Sequence, residues 1–295
     1  MDGLTALLVR AAVWVLSLLS LEGQRRAGRL LGRGIWWLRL DSARTTRVNL
    51  RLCFPEHDEA TRRRLARASL EHTGMLAAEL GAVHRWPSSK WADLTVATEG
   101  GELIDQALAA GSSVLVLVPH FGNWEHLALT LGRYGVTALY DPPRIRALEP
   151  LVRNARNRAG ANMLPIDAGG LRGFYRALAQ GSVAALLPDQ VPDRSAGVYA
   201  DFFGHPALTM TFVHRLLQRT RAVPLLGAAI RCAGGFEVRF TALPPALRDP
   251  DPAISVAAMN RAIEALVRMD PPQYQWEYKR FKGRPPGTRD PYARQ

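Results

Sequence analysis

Short apolar runs alternate with segments of helical spacing through the middle of the chain. The runs "VLVLVP", "VTALY", "NMLPI" and "VAALLPD" have the length of buried strands, and helix-like segments lie between them near residues 123–133, 145–159 and 170–180. Such alternation is typical of an α/β fold with a largely parallel central sheet flanked by helices. Two later runs, "AVPLLGAAI" and "FEVRFTAL", flank the turn signal "CAGG", which predicts an antiparallel hairpin.

The segment before this core has helical periodicity, as in "DEATRRRLARASLEHTGMLAAELGAV", and is interrupted at "VNLRLCFPE". We divide the chain into an N-terminal segment of residues 1–24 and a main domain of residues 25–295. Within the main domain we predict a helical part up to about residue 110, an α/β core over residues 111–245, and a C-terminal helix with a packed tail over residues 246–295.

The N-terminal segment contains an apolar stretch, residues 4–21, that is interrupted by Arg10. Its 18 residues are just long enough to cross a bilayer with little tilt, but the charge inside it opposes spanning. A cleaved signal peptide fits poorly, because neither a basic region before the stretch nor a small-residue cleavage site after it is present. We expect a membrane anchor or a helix lying in the interface. A helix packed on the protein's own core is the alternative.

Charge supports a membrane-facing N-terminus. The 295 residues carry a net charge of +12, and only three of the 38 basic residues are lysine. Nine arginines and three acids lie within residues 1–53, and the arginines after the apolar stretch predict a cytoplasmic main domain. The two cysteines, Cys53 and Cys232, provide neither a disulfide framework nor a clustered thiolate metal site.

The candidate chemistry lies where the first core strand ends. In "PHFGNWE", His120 follows the strand and Glu125 falls in the first turns of the next helix. Carboxyl ends of parallel strands bind ligands, and we expect Glu125 to reach back to His120 and make the imidazole a better base. Backbone amides near Asn123 are placed to favour negative charge at the helix start. The alternative is structural, with His120 capping the helix and Glu125 in a favoured first-turn position.

Other reaction classes lack their signatures. The chain contains no G-x-S-x-G elbow, no phosphate-binding G-x4-G-K-[ST] loop and no G-x-G-x-x-G fingerprint. The segment "HFGNWEH" has the wrong spacing to place two histidines and a carboxylate on one zinc ion. A carboxylate-oriented histidine activates a hydroxyl without help, so we expect neither a metal nor a cofactor.

The block "PHFGNWE" resembles the His-x4-Asp/Glu motif of glycerolipid-type acyltransferases, and specifically of the bacterial lipid A secondary (late) acyltransferases. Further segments resemble that family in the same order, over roughly residues 40–285. They are "NLRLCFPE", "PPRIRALEPLVRNARNRAG", "RALAQGSVAALLPDQ", "GVYADFFGHPALTMTFVHRLLQRTRAVPL" and "QWEYKRFKGRP".

The resemblance implies transfer of a fatty acyl chain to a hydroxyl of a primary 3-hydroxyacyl chain on a lipid A precursor, in lipopolysaccharide biosynthesis. His120 would be the general base and Glu125 its orienting partner, with Asn123 among the substrate-binding residues. The implied donor is an acyl group on acyl carrier protein, and we expect lauroyl. The implied location is the cytoplasmic face of the bacterial inner membrane, an anionic surface.

Five other positions are candidates for supporting the site or for binding an anionic group. Asp189 follows a strand end in "PDQ" and is expected to support the site. Arg156 and Arg158 are candidates for contacting acceptor phosphates or the donor, and Lys279 and Arg280 are candidates for holding an anionic substrate or membrane. The structural alternatives are a solvated turn for the aspartate and charged surface positions for the basic residues.

Three other functions remain open at this point. The first is an acyltransferase of the same superfamily that acts on another glycolipid or phospholipid. The second is a non-catalytic lipid-binding protein in which His120 caps a helix. The third is a basic nucleic-acid binder, which the charge permits but which no helix-turn-helix, zinc-finger or ribonucleoprotein pattern supports, so we expect no nucleic-acid partner.

Overall fold

A computed structural model describes residues 2–141, 147, 149–157, 159–285 and 287–293. Seven of the described strands form one sheet in the order β1-β9-β8-β2-β5-β3-β4, and β6 and β7 form a separate antiparallel hairpin. Neighbouring strands of the large sheet are parallel except β8 and β9, which are antiparallel. The predicted α/β class and the predicted hairpin of "AVPLLGAAI" and "FEVRFTAL" are therefore confirmed.

The strands are β1 Thr95–Glu99, β2 Val114–Leu117, β3 Thr137–Tyr140, β4 Asn162–Pro165, β5 Val183–Leu186, β6 Gly197–Phe202, β7 His205–Met210, β8 Val223–Cys232 and β9 Gly235–Ala242. The helices are α1 Asp2–Ser17, α2 Leu21–Trp37, α3 Asp41–Cys53, α4 Glu59–Arg85, α5 Ser88–Ala92, α6 Glu102–Ala109, α7 Trp124–Leu131, α8 Glu149–Asn157, α9 Ala168–Ala179, α10 Phe212–Arg219 and α11 Pro252–Met269.

The centre of the sheet is apolar on both faces. Every residue of β2 and β5 is buried, as expected for parallel strands covered by helices on both sides. One buried cluster contains Leu115 and Leu117, and the other contains Val114 and Val116, because successive side chains of β2 point to opposite faces. The sheet is thus a rigid support for the loops at its carboxyl edge.

Several elements differ from the sequence prediction. β1 lies inside the part predicted to be helical and pairs with β9 at the edge of the sheet. The hairpin of β6 and β7 was not predicted. The helical segment "VNLRLC" continues to Cys53, and the break in the N-terminal helices comes only after it, where Asp58 caps α4 by accepting a hydrogen bond from the backbone N–H of Thr61.

Helices α1 and α2 separate at residues 18–20, ahead of the predicted boundary at residue 24. Ser20 caps α2 by accepting a hydrogen bond from the backbone N–H of Gly23, and the buried Gln24 side chain accepts one from the N–H of Ala82. Among the helices described, none has both the length and the apolarity needed to cross a membrane. Most large apolar side chains of α1 are exposed, including Leu4, at 66%.

Helices α2 and α4 approach so closely that backbone touches backbone. A Cβ added at Gly74 would lie 2.0 Å from the carbonyl oxygen of Gly28, and one added at Gly32 would lie 2.2 Å from that of Leu70. Small residues at a helix crossing allow this approach. The contact fixes α4 against α2 and so positions the polar side chains that α4 contributes to the site.

Gly32→Ala should destabilise the protein, because the new methyl group meets backbone that has no room to move aside. Overpacking of this kind costs about 1–3 kcal/mol. Gly34→Ala is the matched control on the same helix, where nothing lies within 4 Å of an added Cβ. The control should be neutral or more stable, since alanine favours helix over glycine by up to about 1 kcal/mol. Thermal melts followed by circular dichroism measure both, and equal melting temperatures would contradict the close contact.

Candidate active site

His120 and Asp189 face each other because of the register between two parallel strands. Leu117 of β2 pairs with Leu186 of β5, and each site residue is the third residue beyond its strand's last pair. The pairing continues past the strand ends, where the backbone N–H of Val118 donates to the carbonyl of Leu186 at 2.9 Å. The sheet therefore brings the two loops together at its carboxyl edge, where ligands bind in this class of fold.

Asp189 holds His120 through both of its carboxylate oxygens. Oδ2 accepts from the backbone N–H of His120 at 2.9 Å, and Oδ1 lies 2.8 Å from the ring Nδ1. Because a carboxylate only accepts, Nδ1 carries the proton and Nε2 presents its lone pair. Gln190 places its side-chain Nε2 at 3.1 Å from the imidazole Nε2, so its amide donates to that lone pair. Asp189 therefore fixes the tautomer and the orientation of the His120 ring.

Glu125 does not orient His120, contrary to the sequence prediction. Its carboxylate forms a bidentate pair with the guanidinium of Arg156 on α8, including a bond of 2.9 Å from Arg156 Nε to Glu125 Oε2. The first turn of α7 points Glu125 toward α8, while the loop keeps His120 over β5. The orienting carboxylate is therefore that of Asp189, which the sequence analysis expected only to support the site. Glu125 lines the same cavity as His120.

Both carboxylates are ionised in this site. Burial by itself raises the pKa of Asp189, but the charge and the two hydrogen bonds of His120 outweigh it and hold the pKa below its usual range. Burial likewise raises the pKa of Glu125, and Arg156 reverses that shift. Tyr274 lies beside Asp189, and its phenol pKa is raised well above the ordinary value by burial and then by this carboxylate.

The loop between His120 and α7 is fixed by backbone contacts. Gly122 has φ of 62° and its α-carbon faces the carbonyl oxygen of Ala229, which an added Cβ would meet at 2.0 Å. The next backbone N–H, that of Asn123, donates to the same carbonyl at 2.8 Å. A side chain at Gly122 would need both a strained backbone and a displaced strand, so glycine is required at this position.

Asn123 is a structural residue and not a substrate contact. Its side chain is fully buried, accepts from the backbone N–H of His126 as the cap of α7, and donates to Glu79 at 2.8 Å. The carboxylate of Glu79 also accepts hydrogen bonds from Arg25 Nε and Arg231 Nε, each at 2.9 Å. This buried cluster joins α2, α4, β8 and the loop after His120, and its positive charges are matched only in part by the one glutamate.

The remaining predicted site residues fall outside the cavity or outside the described residues. Arg280 is buried, donates to the carbonyl of Leu208 and to Thr209 Oγ1, and lies over the ring of Phe202, so its predicted substrate contact is wrong. Lys279 is exposed and lies over a tyrosine ring in the C-terminal tail, away from the residues that line the cavity. Arg158 lies outside the described residues.

A mostly apolar cavity of about 550 Å³ opens beside His120. Its polar groups are few, and they include His120, Gln190 and the pair formed by Glu125 and Arg156. Its apolar lining comes from α7, α10 and the strands at this end of the sheet, and includes Leu131, Val136, Ala138, Leu139, Met163, Leu186, Met210 and Phe212. A few placed polar groups in an apolar pocket of this size are typical of a small-molecule or acyl-chain site.

Gln190 is the residue that sequence reasoning missed. It follows Asp189 in "PDQ" and therefore had a signal, since this segment comes directly after a buried strand, but its contact with His120 depends on the strand order of the sheet. Trp124 was also not assigned a place, and its ring lies edge-on to His120 with the ring centroids 5.0 Å apart. In the described part of the chain, no three His, Cys, Asp or Glu side chains are grouped to hold a metal ion.

Comparison with known proteins identifies the family. The pattern of the family described as bacterial lipid A biosynthesis acyltransferase matches residues 3–283. The chain belongs to this family. It is 31% identical over 257 residues to a lipid A biosynthesis lauroyltransferase of Escherichia coli (strain K12), covering 85% of this chain and 82% of that protein.

Two other similar proteins of this family from Escherichia coli (strain K12) have names that specify different acyl chains. A lipid A biosynthesis palmitoleoyltransferase is 30% identical over 252 residues, with coverage of 83% of this chain and 80% of its own length. A lipid A biosynthesis myristoyltransferase is 28% identical over 281 residues, with coverage of 91% and 83%. The predicted family is therefore confirmed. The sequence identity of this lipid A acyltransferase to relatives named for three different acyl groups is similar, between 28% and 31%.

The second histidine of the motif, His126, is part of the core in this lipid A acyltransferase. Its ring stacks on Phe236 at a centroid distance of 4.3 Å, and its Nε2 lies 2.9 Å from Thr95 Oγ1. Burial, reinforced by the charges of Arg25 and Arg231, lowers its pKa to about 3. The ring is therefore neutral and structural at neutral pH.

This shift predicts acid destabilisation. The unfolded chain binds a proton at His126 below about pH 6.5, while the folded protein does not, so stability falls by up to about 1.4 kcal/mol per pH unit between that value and the folded pKa. His126→Phe keeps the stacking and should make the melting temperature fall less steeply from neutral pH to pH 5. Thr95→Val is the control that removes the hydrogen bond but keeps the titrating ring, so it should retain the steep fall. An unchanged slope in His126→Phe would contradict the assignment.

Proposed function

We propose that this acyltransferase moves an acyl chain, lauroyl in our expectation, from acyl carrier protein to a hydroxyl of a primary 3-hydroxyacyl chain on a lipid A precursor. The observation that carries the proposal is the pairing of His120 Nδ1 with the carboxylate of Asp189, which leaves Nε2 as the basic ring nitrogen beside an apolar cavity. An acyl donor needs an apolar cavity, and a hydroxyl acceptor needs a base at its edge.

In this mechanism the acceptor hydroxyl takes the place of the Gln190 amide at Nε2 of His120. Its oxygen attacks the thioester carbonyl carbon while Nε2 accepts the proton, which gives a tetrahedral intermediate and an imidazolium. The carbon–sulfur bond then breaks, the imidazolium returns the proton to the leaving sulfur, and an ester and a free thiol result. Asp189 stabilises the imidazolium, because its carboxylate already lies on Nδ1.

Glu125 and Arg156 have a different role in the proposal. Their bidentate pair closes the cavity wall next to His120 and joins the start of α7 to α8. The pair sets the position of the Arg156 guanidinium, which lines this part of the cavity and is placed to meet an anionic group of donor or acceptor. We infer that Glu125 acts by positioning Arg156 and by favouring positive charge on His120 from a distance.

The length of the transferred acyl chain depends on the size of the cavity. The cavity lining includes medium-sized side chains such as Met163, Leu171 and Met210. The depth of the cavity decides how many methylene groups fit. Each methylene excluded from water contributes about 0.8 kcal/mol, so donors that fill the cavity without overreaching it are favoured. Acyl carrier proteins loaded with 12-, 14- or 16-carbon chains distinguish the lengths, and we expect the highest kcat/KM with lauroyl.

The location at the cytoplasmic face of the bacterial inner membrane is likewise proposed. Helix α1 exposes apolar side chains that include Leu7 and Trp14, and its Arg10 donates a hydrogen bond of 2.7 Å to the carbonyl of Ala147, two residues before α8 begins. Since α8 carries Arg156 to the cavity, a bilayer that contacts α1 would lie near the cavity. Lipid precursors then reach His120 without leaving the membrane surface.

The function is tested by the side chains that hold the imidazole. His120→Ala should lower kcat by about 10²- to 10⁴-fold, the range for a positioned general base. Asp189→Asn should have a comparable effect, since the amide N–H faces Nδ1, reverses the tautomer and removes the charge that stabilises the imidazolium. The double variant should be little worse than His120→Ala, because the two residues act as one unit. The assay is acyl transfer from carrier protein to a lipid A precursor.

Glu125→Gln in the same assay separates the two carboxylates. It removes the counter-ion of Arg156, so we expect a lower melting temperature and a higher KM, and with His120→Ala its effect should add. Circular dichroism verifies that each variant is folded. Transfer by well-folded His120→Ala within a few-fold of the wild-type rate would disprove the proposed function.

A further inference from the structure

Apolar side chains are exposed where α2 gives way to α3. Trp37 is 76% exposed and Leu38 is 73% exposed, and Leu40 at the start of α3 is 46% exposed. Arg39 between them has φ of 51°, so the chain turns sharply and presents these side chains at a corner. Large apolar side chains grouped on a surface in this way mark an interaction site.

A stripe of arginines continues from this corner along α3. Arg44, Arg47 and Arg51 follow Leu40 at intervals of four, seven and eleven residues, which places all of them on one face of the helix. Arg47 and Arg51 are exposed. We call Trp37, Leu38 and Leu40 with these three arginines the α2–α3 corner.

A shallow cavity of about 360 Å³ lies against the stripe. Its described lining contains the three arginines of the stripe and two from the first turn of α4, with Glu59 as the one carboxylate among them. Five guanidinium groups around one carboxylate repel each other, so an anion that bridges them stabilises the arrangement. The surface next to the exposed side chains of Trp37 and Leu38 is therefore suited to binding phosphate groups.

We propose that the α2–α3 corner docks on an anionic lipid bilayer, as a second contact besides α1. The tip formed by Trp37 and Leu38 enters the boundary between headgroups and acyl chains, and the arginines bind lipid phosphates. At 1.5 Å per residue, Arg44 and Arg47 lie about 6 and 10 Å along α3 from Leu40. Both arginines therefore lie within two helical turns of Leu40, close enough to reach phosphates while the apolar tip enters the interface.

The apolar tip favours a bilayer over an acidic carrier protein as the partner. A carrier protein would be met by the arginines alone, whereas tryptophan and leucine beside arginine are typical of a membrane interface. Of the sixteen large apolar side chains that are exposed among the described residues, twelve lie between Leu4 and Leu40, so the corner continues the apolar surface of α1 in the sequence. The two contacts together would fix how the domain, and with it the cavity, is oriented on the membrane.

The inference rests on the proposed membrane location and is tested separately from catalysis. Binding of the full-length protein is measured by co-sedimentation with phosphatidylcholine vesicles and with mixed phosphatidylcholine and phosphatidylglycerol vesicles. Trp37→Ser with Leu38→Ser should weaken binding to both by on the order of tenfold, through loss of apolar contact. Ile254→Ser, at an exposed position on α11, is the matched control and should bind as the wild type does.

Arg47→Gln with Arg51→Gln should weaken binding only to vesicles with phosphatidylglycerol, by about five- to thirty-fold, and less at high salt. The control is Arg219→Gln with Arg221→Gln, two exposed arginines at the end of α10 and just after it, which should have no effect. All four variants should keep the wild-type transfer rate on detergent-solubilised lipid A precursor.

Two results would overturn the proposal. One is wild-type vesicle binding by both corner variants while Leu7→Ser with Leu8→Ser on α1 releases the protein, which would leave α1 as the membrane contact. The other is unchanged vesicle binding by the arginine variant with a raised KM for acyl carrier protein in detergent, which would make the stripe a carrier-protein site. If the proposed function itself is wrong, the wild-type protein will show no acyl transfer in the assay, whether or not it binds vesicles.

Discussion

The parallel register of β2 and β5 is the constraint on which the candidate active site depends. Leu117 pairs with Leu186, and the third residue beyond each is the histidine or the aspartate of the dyad. A slip of one residue would move Asp189 to the wrong side of its strand and leave His120 without a partner. The four-residue strands are entirely buried, so moving either would expose apolar surface. The hydrophobic core thereby fixes the distance between His120 and Asp189.

A second, polar constraint holds the rest of the loop. Glu79 on α4 gathers Asn123, Arg25 and Arg231 in the interior, and the close packing of α4 on α2 keeps the glutamate in place. Buried ion pairs contribute little net stability, but a missing member leaves an unpaired charge in the core. The cluster therefore holds the loop after His120 in one position. The helical N-terminal part thus supports the site, and it also carries the surface that we propose faces the membrane.

Local patterns in the sequence predicted much of this architecture, and long-range contacts account for the misses. The alternating α/β core and the position of His120 at a strand end follow from apolar runs and spacing, which are local. β1 was missed because Thr95–Glu99 is largely exposed at the sheet edge and lacks an apolar run. Glu125 was assigned to His120 because they are close in sequence. Its actual partner, Arg156, is set by the packing of α8 against α7, which no spacing reveals.

Asp189, and not Glu125, accepts the hydrogen bond from Nδ1 of His120. Proton NMR of protein labelled with 15N-histidine measures this directly, because a ring N–H bonded to a buried carboxylate resonates far downfield and is assigned to one histidine by its loss in His120→Ala. We predict a downfield Nδ1–H signal that disappears in Asp189→Asn and persists in Glu125→Gln. If the signal persists in Asp189→Asn and is lost in Glu125→Gln, then Glu125 and not Asp189 is the partner of His120 Nδ1.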